Sequence, residues 1–437
     1  MKRPELKEHQ VRAVSYAHKN PYSILALDPG LGKSRCAIEV RDKLNLNCLV
    51  ICPSYLIHNW GNEIAKWGKE GVQTTLFTKG KQIYEVCDTD YVVTSYDLVQ
   101  KAEHLFEWAD MVVLDEAHAI KSMKAKRTQF LHKTIYENSV PRVHLLTGTP
   151  IKNRVQEFYS LLALCYYNPS AADGQFLETY PSEIDFADHF STRSEYTMEI
   201  SGKWVTVVKW DGIRNTTELK QWLENKYIRV YSSDVLDLPE VSYKDFHISN
   251  DDDENLIAAF RSYFTDEDDL DEKHSLERDE RTGSVLPEHK AAAALKKVPF
   301  TIKYATDLME EVKPILIYSD HVKSAEEIAK HFGVEAITGK MPSTRRSQMA
   351  DAFQRGEGDL LVCTVGAMKE GKDLFRASHI IFNDYPWVPG DLKQVIYRIQ
   401  RIGQKSNCTV HRVVGSPQDY YIMEVINEKL KTIEEAT

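Results

Sequence analysis

A glycine-rich stretch near the amino terminus constrains the fold of this chain more than any other segment. The sequence DPGLGKS occupies residues 28–34, between an apolar run at 24–27 that is typical of a buried strand and a segment at 35–44 that is typical of a helix. Backbone N–H groups in such a turn, together with the positive end of the helix, can approach an oligophosphate closely. The stretch therefore predicts a strand, a phosphate-binding turn and a helix, in that order.

Each position of this turn has an expected role. Gly30 and Gly32 permit close approach of the backbone, Lys33 is placed to reach the β- and γ-phosphates, and Ser34 is placed to hold Mg²⁺. Leu27 stands where the usual G-x-x-x-x-G-K-[ST] pattern has its first glycine, so a chance glycine-rich turn is the alternative. The residues expected to surround the nucleotide are Pro29, Gly30, Leu31, Gly32, Lys33 and Ser34.

Strand and helix patterns alternate in two series along the chain. Apolar runs predict strands at 24–27, 48–52, 91–94, 111–114 and 143–146, and again at 315–318, 335–338, 360–363, 379–383 and 409–414. Because βα alternation is typical of parallel sheets covered by helices, the sequence predicts an α/β fold with two lobes. The expected lobes are residues 1–240 and 241–437.

Two insertions are expected within these lobes. Residues 165–235 are rich in aromatic and polar side chains and show no parallel-sheet strand, but alternation over 198–210 predicts a β-hairpin. Residues 251–299 are acidic and then alanine-rich up to Pro299, which predicts a solvated helical insertion.

Composition narrows the class of protein. The chain has 437 residues, of which 42% are hydrophobic, which is enough for two or three domains. The net charge of −10 does not indicate a polyanion binder, but much of the acid lies in residues 251–280 and the remainder is nearly balanced. Seven cysteines form no C-x-x-C pair, which favours reduced thiols in a cytosolic protein. Without a long apolar run, neither a signal peptide nor a membrane span is expected.

A pair of carboxylates ends one of the predicted strands. The sequence VVLDEAH at 112–118 places Asp115 and Glu116 at the carboxyl end of a strand, where α/β sheets locate their chemistry. Asp115 can hold Mg²⁺ through water, and Glu116 can orient and deprotonate an attacking water molecule. A chance Asp-Glu pair is the alternative, but its place after a phosphate loop favours phosphoryl transfer.

Several of these segments resemble the motifs of superfamily-two helicases, in the correct order. DPGLGKS, DEAH at 115–118 and LLTGTP at 145–150 are similar to motifs I, II and III. CPSYLIHNWGNEIAKW at 52–67 and the continuation AIKSMKAKRT at 119–128 resemble the Swi/Snf-type DNA translocases and differ from typical RNA helicases.

The resemblance implies two RecA-like lobes that use ATP and Mg²⁺. Gln10, in LKEHQ, resembles a glutamine that reads adenine. His118, Thr147 and Thr149 would couple the ATP site to DNA.

The second lobe carries further segments of the same family. QVIYRIQRIGQ at 394–404 resembles motif VI, and Arg398 and Arg401, three apart on one expected helical face, would reach the γ-phosphate as arginine fingers. A solvated basic helix is the alternative. Motif V, at 363–374, is a weaker match because the paired glycines are missing. YIRVYSSDVLDLP at 227–239 resembles the inter-lobe segment of the family, with Val230 where a second arginine usually stands.

The resemblance also implies contacts with the phosphate backbone of DNA, which carry no sequence information. The candidates are Asn59, Trp60, Ser95, Lys152, Asn153, Thr338, Gly339 and Thr364. Ordinary turn residues are the alternative for most of them. Trp204 and Trp210 lie six apart on one hairpin strand and face one side, so the hairpin is hypothesised to act at a DNA junction. Packing of the tryptophans onto the lobe is the alternative that we favour.

The sequence therefore predicts a DNA-dependent ATPase that translocates on duplex DNA and remodels or unwinds forks and branched junctions, as in branch migration. The alternatives are an RNA helicase and a nucleotide-gated DNA-binding scaffold. The expected partners are double-stranded or branched DNA and recombination or replication proteins, with no membrane. The chain is expected to act as a monomer in the cytoplasm of a bacterial or phage-infected cell.

Overall fold

The computed structural model describes residues 4–79, 89–167, 175–200, 203–248, 286–368, 373–415 and 417–437. The chain divides into two compact units. The first comprises residues 1–194, 209–236 and 431–437, and the second comprises 195–208 and 237–430. Most of the expected acidic insertion, the hairpin turn at 201–202 and part of motif V, at 369–372, lie outside the described residues.

A seven-stranded parallel sheet forms the centre of the first unit. The strands are β1 (Tyr22–Leu27), β2 (Cys48–Cys52), β3 (Thr74–Leu76), β4 (Tyr91–Ser95), β5 (Met111–Asp115), β6 (Arg142–Thr147) and β9 (Tyr227–Val230). Their order is β3-β4-β2-β5-β6-β1-β9. The central strands are runs of Val, Ile and Leu that are buried along their length, as expected for a sheet covered on both faces.

Helices cover both faces of this sheet. They are α1 (Glu8–Lys19), α2 (Lys33–Leu44), α3 (Ile57–Trp67), α4 (His104–Trp108), α5 (Lys126–Glu137), α6 (Phe158–Tyr166), α7 (Gln175–Thr179), α8 (Glu183–Phe190), α9 (Thr216–Leu223) and α10 (Ser232–Val235). One hydrophobic cluster joins the sheet to α1, α2 and α3, and another joins it to α4 through α9. The carboxyl ends of β1 and β5, and the turns that follow them, are thus held in place at one edge of the sheet.

The second unit contains a five-stranded parallel sheet in the order β10-β14-β13-β11-β12. Its strands are β10 (Val241–His247), β11 (Ile315–Ser319), β12 (Leu360–Thr364), β13 (His379–Phe382) and β14 (Cys408–Val414). Its helices are α11 (Leu286–Glu311), α12 (Val322–His331), α13 (Ser343–Arg355), α14 (Val365–Met368), α15 (Pro389–Ile396) and α16 (Pro417–Ala436), of which the last enters the first unit at residue 431.

The predicted α/β class with two parallel sheets is confirmed, but three local predictions are wrong and one strand was not predicted. The stretch 165–235 does contain a parallel strand, β9, which pairs with β1. The expected strand at 335–338 contributes only an isolated bridge at Ile337. The helix predicted to end at Pro299 continues through that proline to Glu311. The strand β10 pairs with β14 and was not predicted.

The predicted β-hairpin is present as β7 (Thr192–Ile200) and β8 (Lys203–Asp211), which form a two-stranded sheet. In the part of the chain that the structure describes, no helix is both long and apolar enough to cross a lipid bilayer.

Candidate nucleotide-binding site

The turn between β1 and α2 adopts the geometry that its glycines predict. Gly30 and Gly32 have φ angles of 85° and 83°, in the left-handed region where residues with a Cβ are strained. A Cβ on Gly32 would also stand 2.4 Å from the side-chain nitrogen of Gln10. The turn therefore depends on these glycines, and it leads directly into α2 at Lys33.

Lys33 is the first residue of α2, directly after this turn. Its Nζ donates a hydrogen bond to the carbonyl oxygen of Leu27 at 2.9 Å. Its charge also favours the ionised forms of both Asp115 and Glu116. Since β5, β6 and β1 are parallel neighbours, their carboxyl ends meet at one edge of the sheet. The fold thus brings the phosphate turn and the carboxylate pair together.

Asp115 is fixed by hydrogen bonds to both of its carboxylate oxygens. The indole N–H of Trp60 donates to Oδ2 at 2.8 Å, and the backbone N–H of Glu116 donates to Oδ1 at 2.9 Å. Burial and the neighbouring charge of Glu116 raise the pKa of Asp115 above its usual range. The carboxylate is therefore held in one orientation, at a cost that a nearby cation would offset.

Glu116 lies in a different electrostatic environment. Burial opposes the ionisation of Glu116. The His118 ring, whose Nδ1 is 3.2 Å from Oε2, and the Lys33 ammonium outweigh burial and lower the pKa of Glu116. The pKa values of the two adjacent carboxyl groups are thus pushed apart, a pattern typical of groups with separate chemical roles. Glu116 is ionised at neutral pH and suits the role of a base. His118, predicted as a coupling residue, contacts this base directly.

The loop after β6 packs against the phosphate turn. The backbone N–H of Thr149 donates to Oγ1 of Thr147 at 3.1 Å, and both threonines are buried. A Cβ on Gly148 would stand 3.1 Å from Cδ of Pro29. The predicted coupling residues Thr147 and Thr149 therefore belong to a tight loop in contact with the turn.

Gln10 is bound to the phosphate turn rather than free at the surface. It is 7% exposed, and its Nε2 donates to the carbonyl oxygen of Leu31 at 3.1 Å. Its Oε1 accepts a hydrogen bond from the backbone N–H of Lys7 at 3.1 Å. Both ends of the Gln10 amide thus have protein partners. These contacts do not test whether Gln10 also recognises adenine, so that role stays a prediction.

The residues at this edge fit a nucleotide triphosphate with Mg²⁺. Mg²⁺ prefers oxygen ligands, and Ser34 in the first turn of α2 and Asp115 at the end of β5 both offer them. Each carboxylate oxygen of Asp115 accepts one hydrogen bond and keeps a second lone pair for a metal or its water. The left-handed glycines and the start of α2 add backbone donors for phosphate oxygens.

The sequence did not reveal the partners of Asp28, the first residue of the turn. Its carboxylate is 1% exposed and binds Arg229 and Ser232, about 200 residues later in the chain. The only signal was the resemblance of 227–239 to the inter-lobe segment of the family, which assigned no role to either residue.

Trp60 does not lie where DNA could reach its side chain. It is 1% exposed, and its indole N–H is bound to Asp115. The prediction of a DNA contact by the Trp60 side chain is therefore wrong, because the residue belongs to the core beneath the carboxylate. Its neighbour Asn59 is exposed on α3.

The other candidate DNA contacts have mixed surroundings. Glu157 accepts hydrogen bonds from the backbone N–H groups of Lys152 and Asn153 at 2.8 and 3.1 Å, and from Lys121 Nζ at 2.5 Å. A buried glutamate that the sequence did not single out thus shapes this loop. Of the remaining candidates, Ser95 and Thr364 are buried at the ends of β4 and β12, Thr338 is buried after the isolated bridge at Ile337, and Gly339 is exposed.

Trp210 lies near the end of β8, within the first unit. Its indole N–H donates to Oδ1 of Asp188, on α8, at 2.6 Å. This contact favours packing over base stacking for Trp210. The side chain of Trp204 lies outside the described side chains.

Arg398 and Arg401 lie in the second unit, after the end of α15. The helix ends at Ile396, so the prediction that the two arginines share a helical face is wrong, and turns carry them instead. Arg401 forms an ion pair with Asp373, and the carbonyl oxygen of Arg398 accepts the backbone N–H of Leu374 at 2.8 Å. Both arginines are thus tied to the segment that resembles motif V.

Two family profiles match the chain, in the order of its two units. The SNF2-related domain matches residues 9–275, and the helicase conserved C-terminal domain matches residues 297–403.

Curated relatives are similar over nearly the whole chain. The DNA annealing helicase and endonuclease ZRANB3 of Bos taurus is 24% identical over 450 residues, which cover 95% of this chain and 39% of that protein. The DNA repair and recombination protein RAD54 of Saccharomyces cerevisiae is 23% identical over 461 residues, which cover 90% of this chain and 50% of that protein. The chain thus spans half or less of the length of these relatives.

Among solved structures, the Sulfolobus solfataricus SWI2/SNF2 ATPase core in complex with dsDNA is similar to this chain. It aligns with a TM-score of 0.45 and 21% identity, over 99% of this chain and 96% of that one.

Proposed function

The chain belongs to the SNF2-related domain family, and on that premise we propose that it is an ATP-driven translocase on double-stranded or branched DNA that remodels or unwinds forks and junctions. One observation carries this proposal: in one parallel sheet, the glycine turn after β1 leads into Lys33, and the nearby strand β5 ends at Asp115, which Glu116 follows. Phosphoryl transfer needs mainly positioning and charge neutralisation from a protein. This edge of the sheet offers both, so ATP hydrolysis is the chemistry that it supports best.

In this proposal ATP is the substrate and its phosphates occupy the turn at 29–34. Lys33 binds the β- and γ-phosphates, while Ser34 and Asp115 hold Mg²⁺, which neutralises phosphate charge when bound. The His118 ring and the Lys33 ammonium lower the pKa of Glu116, which favours its ionised form, so Glu116 can orient a water molecule and accept its proton.

The second unit contributes positive charge to the same reaction. Arg398 and Arg401 act at the γ-phosphate as arginine fingers, an effect worth about 10³–10⁵ in rate in related phosphate-transfer systems. To act at the γ-phosphate, Arg401 releases its ion pair with Asp373 and binds the phosphate instead. The exchange makes hydrolysis depend on both units, which is what converts ATP turnover into movement.

DNA is the proposed track because two of the similar proteins are named for their action on DNA. An annealing helicase and a repair and recombination protein both point to forks and branched DNA as substrates. The proposed contacts to the phosphate backbone are Asn59, Ser95, Lys152, Asn153, Thr338, Gly339 and Thr364. Since such contacts are electrostatic, affinity should fall steeply as salt rises.

The test compares ATP hydrolysis and strand movement on duplex DNA, single strands, a fork and a four-way junction, across a salt series. We expect stimulation of hydrolysis by duplex or branched DNA and ATP-dependent movement of the junction. The Glu116→Gln variant is the control, because it should bind ATP and DNA without turnover. Stimulation by RNA and not by DNA would instead identify an RNA helicase, and DNA binding without any hydrolysis would identify a nucleotide-gated scaffold.

We also propose that the chain acts as a monomer in the cytoplasm, beside recombination or replication proteins. Light scattering of the protein with and without a four-way junction tests the first point, since one chain per junction is expected. A stable dimer in both samples would refute it.

A further inference from the structure

The carboxylate of Asp28 is a buried charge whose two oxygens are both bound by one later segment. Oδ1 accepts a hydrogen bond from Nη2 of Arg229 at 2.6 Å. Oδ2 accepts the backbone N–H of Ser232 at 2.9 Å and its hydroxyl at 3.1 Å. Asp28 opens the phosphate turn, so the start of that turn is fastened to residues 229–232.

Arg229 binds more than this carboxylate. Its Nη1 donates to the carbonyl oxygen of Gly148 at 3.0 Å and to that of Ala26 at 3.2 Å. Its guanidinium lies 4.3 Å from the ring centroid of Tyr231, in a cation–π contact. One planar, rigid group therefore joins β1, the phosphate turn and the loop after β6.

Arg229 lies only a few residues before the point where the chain passes from the first unit into the second. Arg229 lies on β9, an edge strand that pairs with β1. The chain leaves the first unit after Leu236, enters the second unit at residue 237 and returns to the first only at residue 431. The segment from Arg229 to Leu236 is short, and Leu236 N–H donates to the carbonyl oxygen of Ser232 at 2.9 Å. The phosphate turn and the loop after β6 are thus hydrogen-bonded to residues 229–232, just before the chain passes into the second unit.

We propose that Arg229 is a positioning residue that couples occupancy of the phosphate turn to the conformation of residues 231–236, and through them to the link into the second unit. The proposal rests on the proposed function, since it assumes that ATP binds in the turn. Its physical basis is that Asp28 and Arg229 are 1% and 12% exposed at their side chains. Separating a buried ion pair leaves an uncompensated charge, which is strongly unfavourable. A shift of the turn or of the loop at Gly148 is therefore transmitted to Arg229 rather than absorbed.

The test variant is Arg229→Lys, which keeps the charge but replaces the planar fork with a single donor atom that cannot bridge the same set of acceptors. The matched control is Arg142→Lys. Arg142 is a part-buried arginine at the start of β6 whose Nη1 donates to the carbonyl oxygen of Ala17 at 2.6 Å, away from the phosphate turn. A second variant, Asp28→Asn, removes the charge from the other side of the pair.

The first readout is hydrogen exchange of the amides of residues 231–236, with and without ATPγS. The wild type should exchange more slowly with ATPγS, above all at Ser232, whose N–H is bound to Asp28. Arg229→Lys and Asp28→Asn should lose this dependence on ATPγS, while Arg142→Lys should keep it. The second readout is steady-state ATP hydrolysis with saturating DNA, where Arg229→Lys should lower kcat about tenfold and change KM for ATP less, as expected when an interaction needed for turnover rather than binding is lost.

Exchange at 231–236 that responds to ATPγS in Arg229→Lys as in the wild type would overturn the proposal. Equal losses in Arg229→Lys and Arg142→Lys would overturn it too, because they would indicate general destabilisation. A wild type that hydrolyses ATP without stimulation by DNA would refute the proposed function instead, and the exchange comparison would still decide the role of Arg229.

Discussion

Replacing Trp60 with phenylalanine should weaken the binding of Mg²⁺ without removing the aromatic core residue. The substitution deletes the N–H that donates to Oδ2 of Asp115 at 2.8 Å. A hydrogen bond to a charged group contributes about 1.5–3 kcal/mol, and loss of a residue that orients a metal ligand typically costs about 10- to 100-fold in metal affinity. Since about 1.4 kcal/mol corresponds to a factor of ten, the two estimates agree. We therefore expect the Mg²⁺ concentration for half-maximal ATP hydrolysis to rise about 10- to 100-fold.

The effect should also depend on pH. The Trp60 hydrogen bond favours the ionised form of Asp115. Burial and the charge of Glu116 already raise the pKa of Asp115, so removal of this hydrogen bond should raise that pKa further. Protons then compete with Mg²⁺ for the carboxylate, and the defect should be larger near pH 6 than near pH 8. The assay is a Mg²⁺ titration of ATP hydrolysis at both pH values.

Trp67→Phe is the matched control. Trp67 lies on the same helix, and its indole N–H donates to Oε2 of Glu63 at 2.9 Å, so the substitution deletes a similar hydrogen bond to a carboxylate that is not Asp115. An unchanged Mg²⁺ requirement in Trp60→Phe, or an equal rise in both variants, would refute the role assigned to Trp60.

Three further predictions concern the phosphate turn, the base and the core. Lys33→Ala should abolish hydrolysis, whereas Glu116→Gln should keep ATP binding and block turnover; single-turnover assays with equilibrium binding of ATPγS distinguish them, and an active Lys33→Ala enzyme would contradict the phosphate-turn assignment. Gly32→Ala should weaken ATPγS binding, because the φ of 83° is strained for a residue with a Cβ and the added Cβ would displace the end of the Gln10 side chain; wild-type affinity would be the contrary result. Burial, followed by the charge of Arg142, lowers the pKa of His144 to about 3. The native state therefore binds fewer protons than the unfolded chain below about pH 6.5, and stability should fall by a few kcal/mol as the pH decreases towards 3. Denaturant titrations should show a smaller loss in His144→Asn, and an equal loss would contradict the assignment.

Apolar runs and turn glycines correctly predicted the strands and the turn whose form depends on neighbouring residues in the sequence. The apolar runs ending at Leu27 and at Asp115 are strands because nearly every side chain in them is apolar and buried, and the glycines of the turn are needed wherever φ is positive. The strand β9 was missed because Tyr227–Val230 is short, lies at an edge and is only partly buried. Helix α11 passes through Pro299, since packing of a long helix can outweigh the loss of one hydrogen bond.

The partners of the site residues could not be predicted, because they are distant in the sequence. Trp60 and Asp115 are 55 residues apart, and Asp28 and Arg229 are 201 residues apart. Nothing in the pattern around Trp60 distinguishes a surface tryptophan from one that binds a buried carboxylate. Composition and periodicity describe which face of an element is apolar, whereas the pairing of buried polar groups is decided by the tertiary fold.

The central claim is that ATP hydrolysis moves this protein along DNA. The most direct measurement is displacement of a third strand from a DNA triplex, because a translocase on the duplex removes that strand without separating the two strands beneath it. The account predicts displacement that requires ATP and Mg²⁺, is absent in Glu116→Gln and weakens as salt rises. Stimulated hydrolysis with no displacement on duplex or forked substrates would contradict the claim.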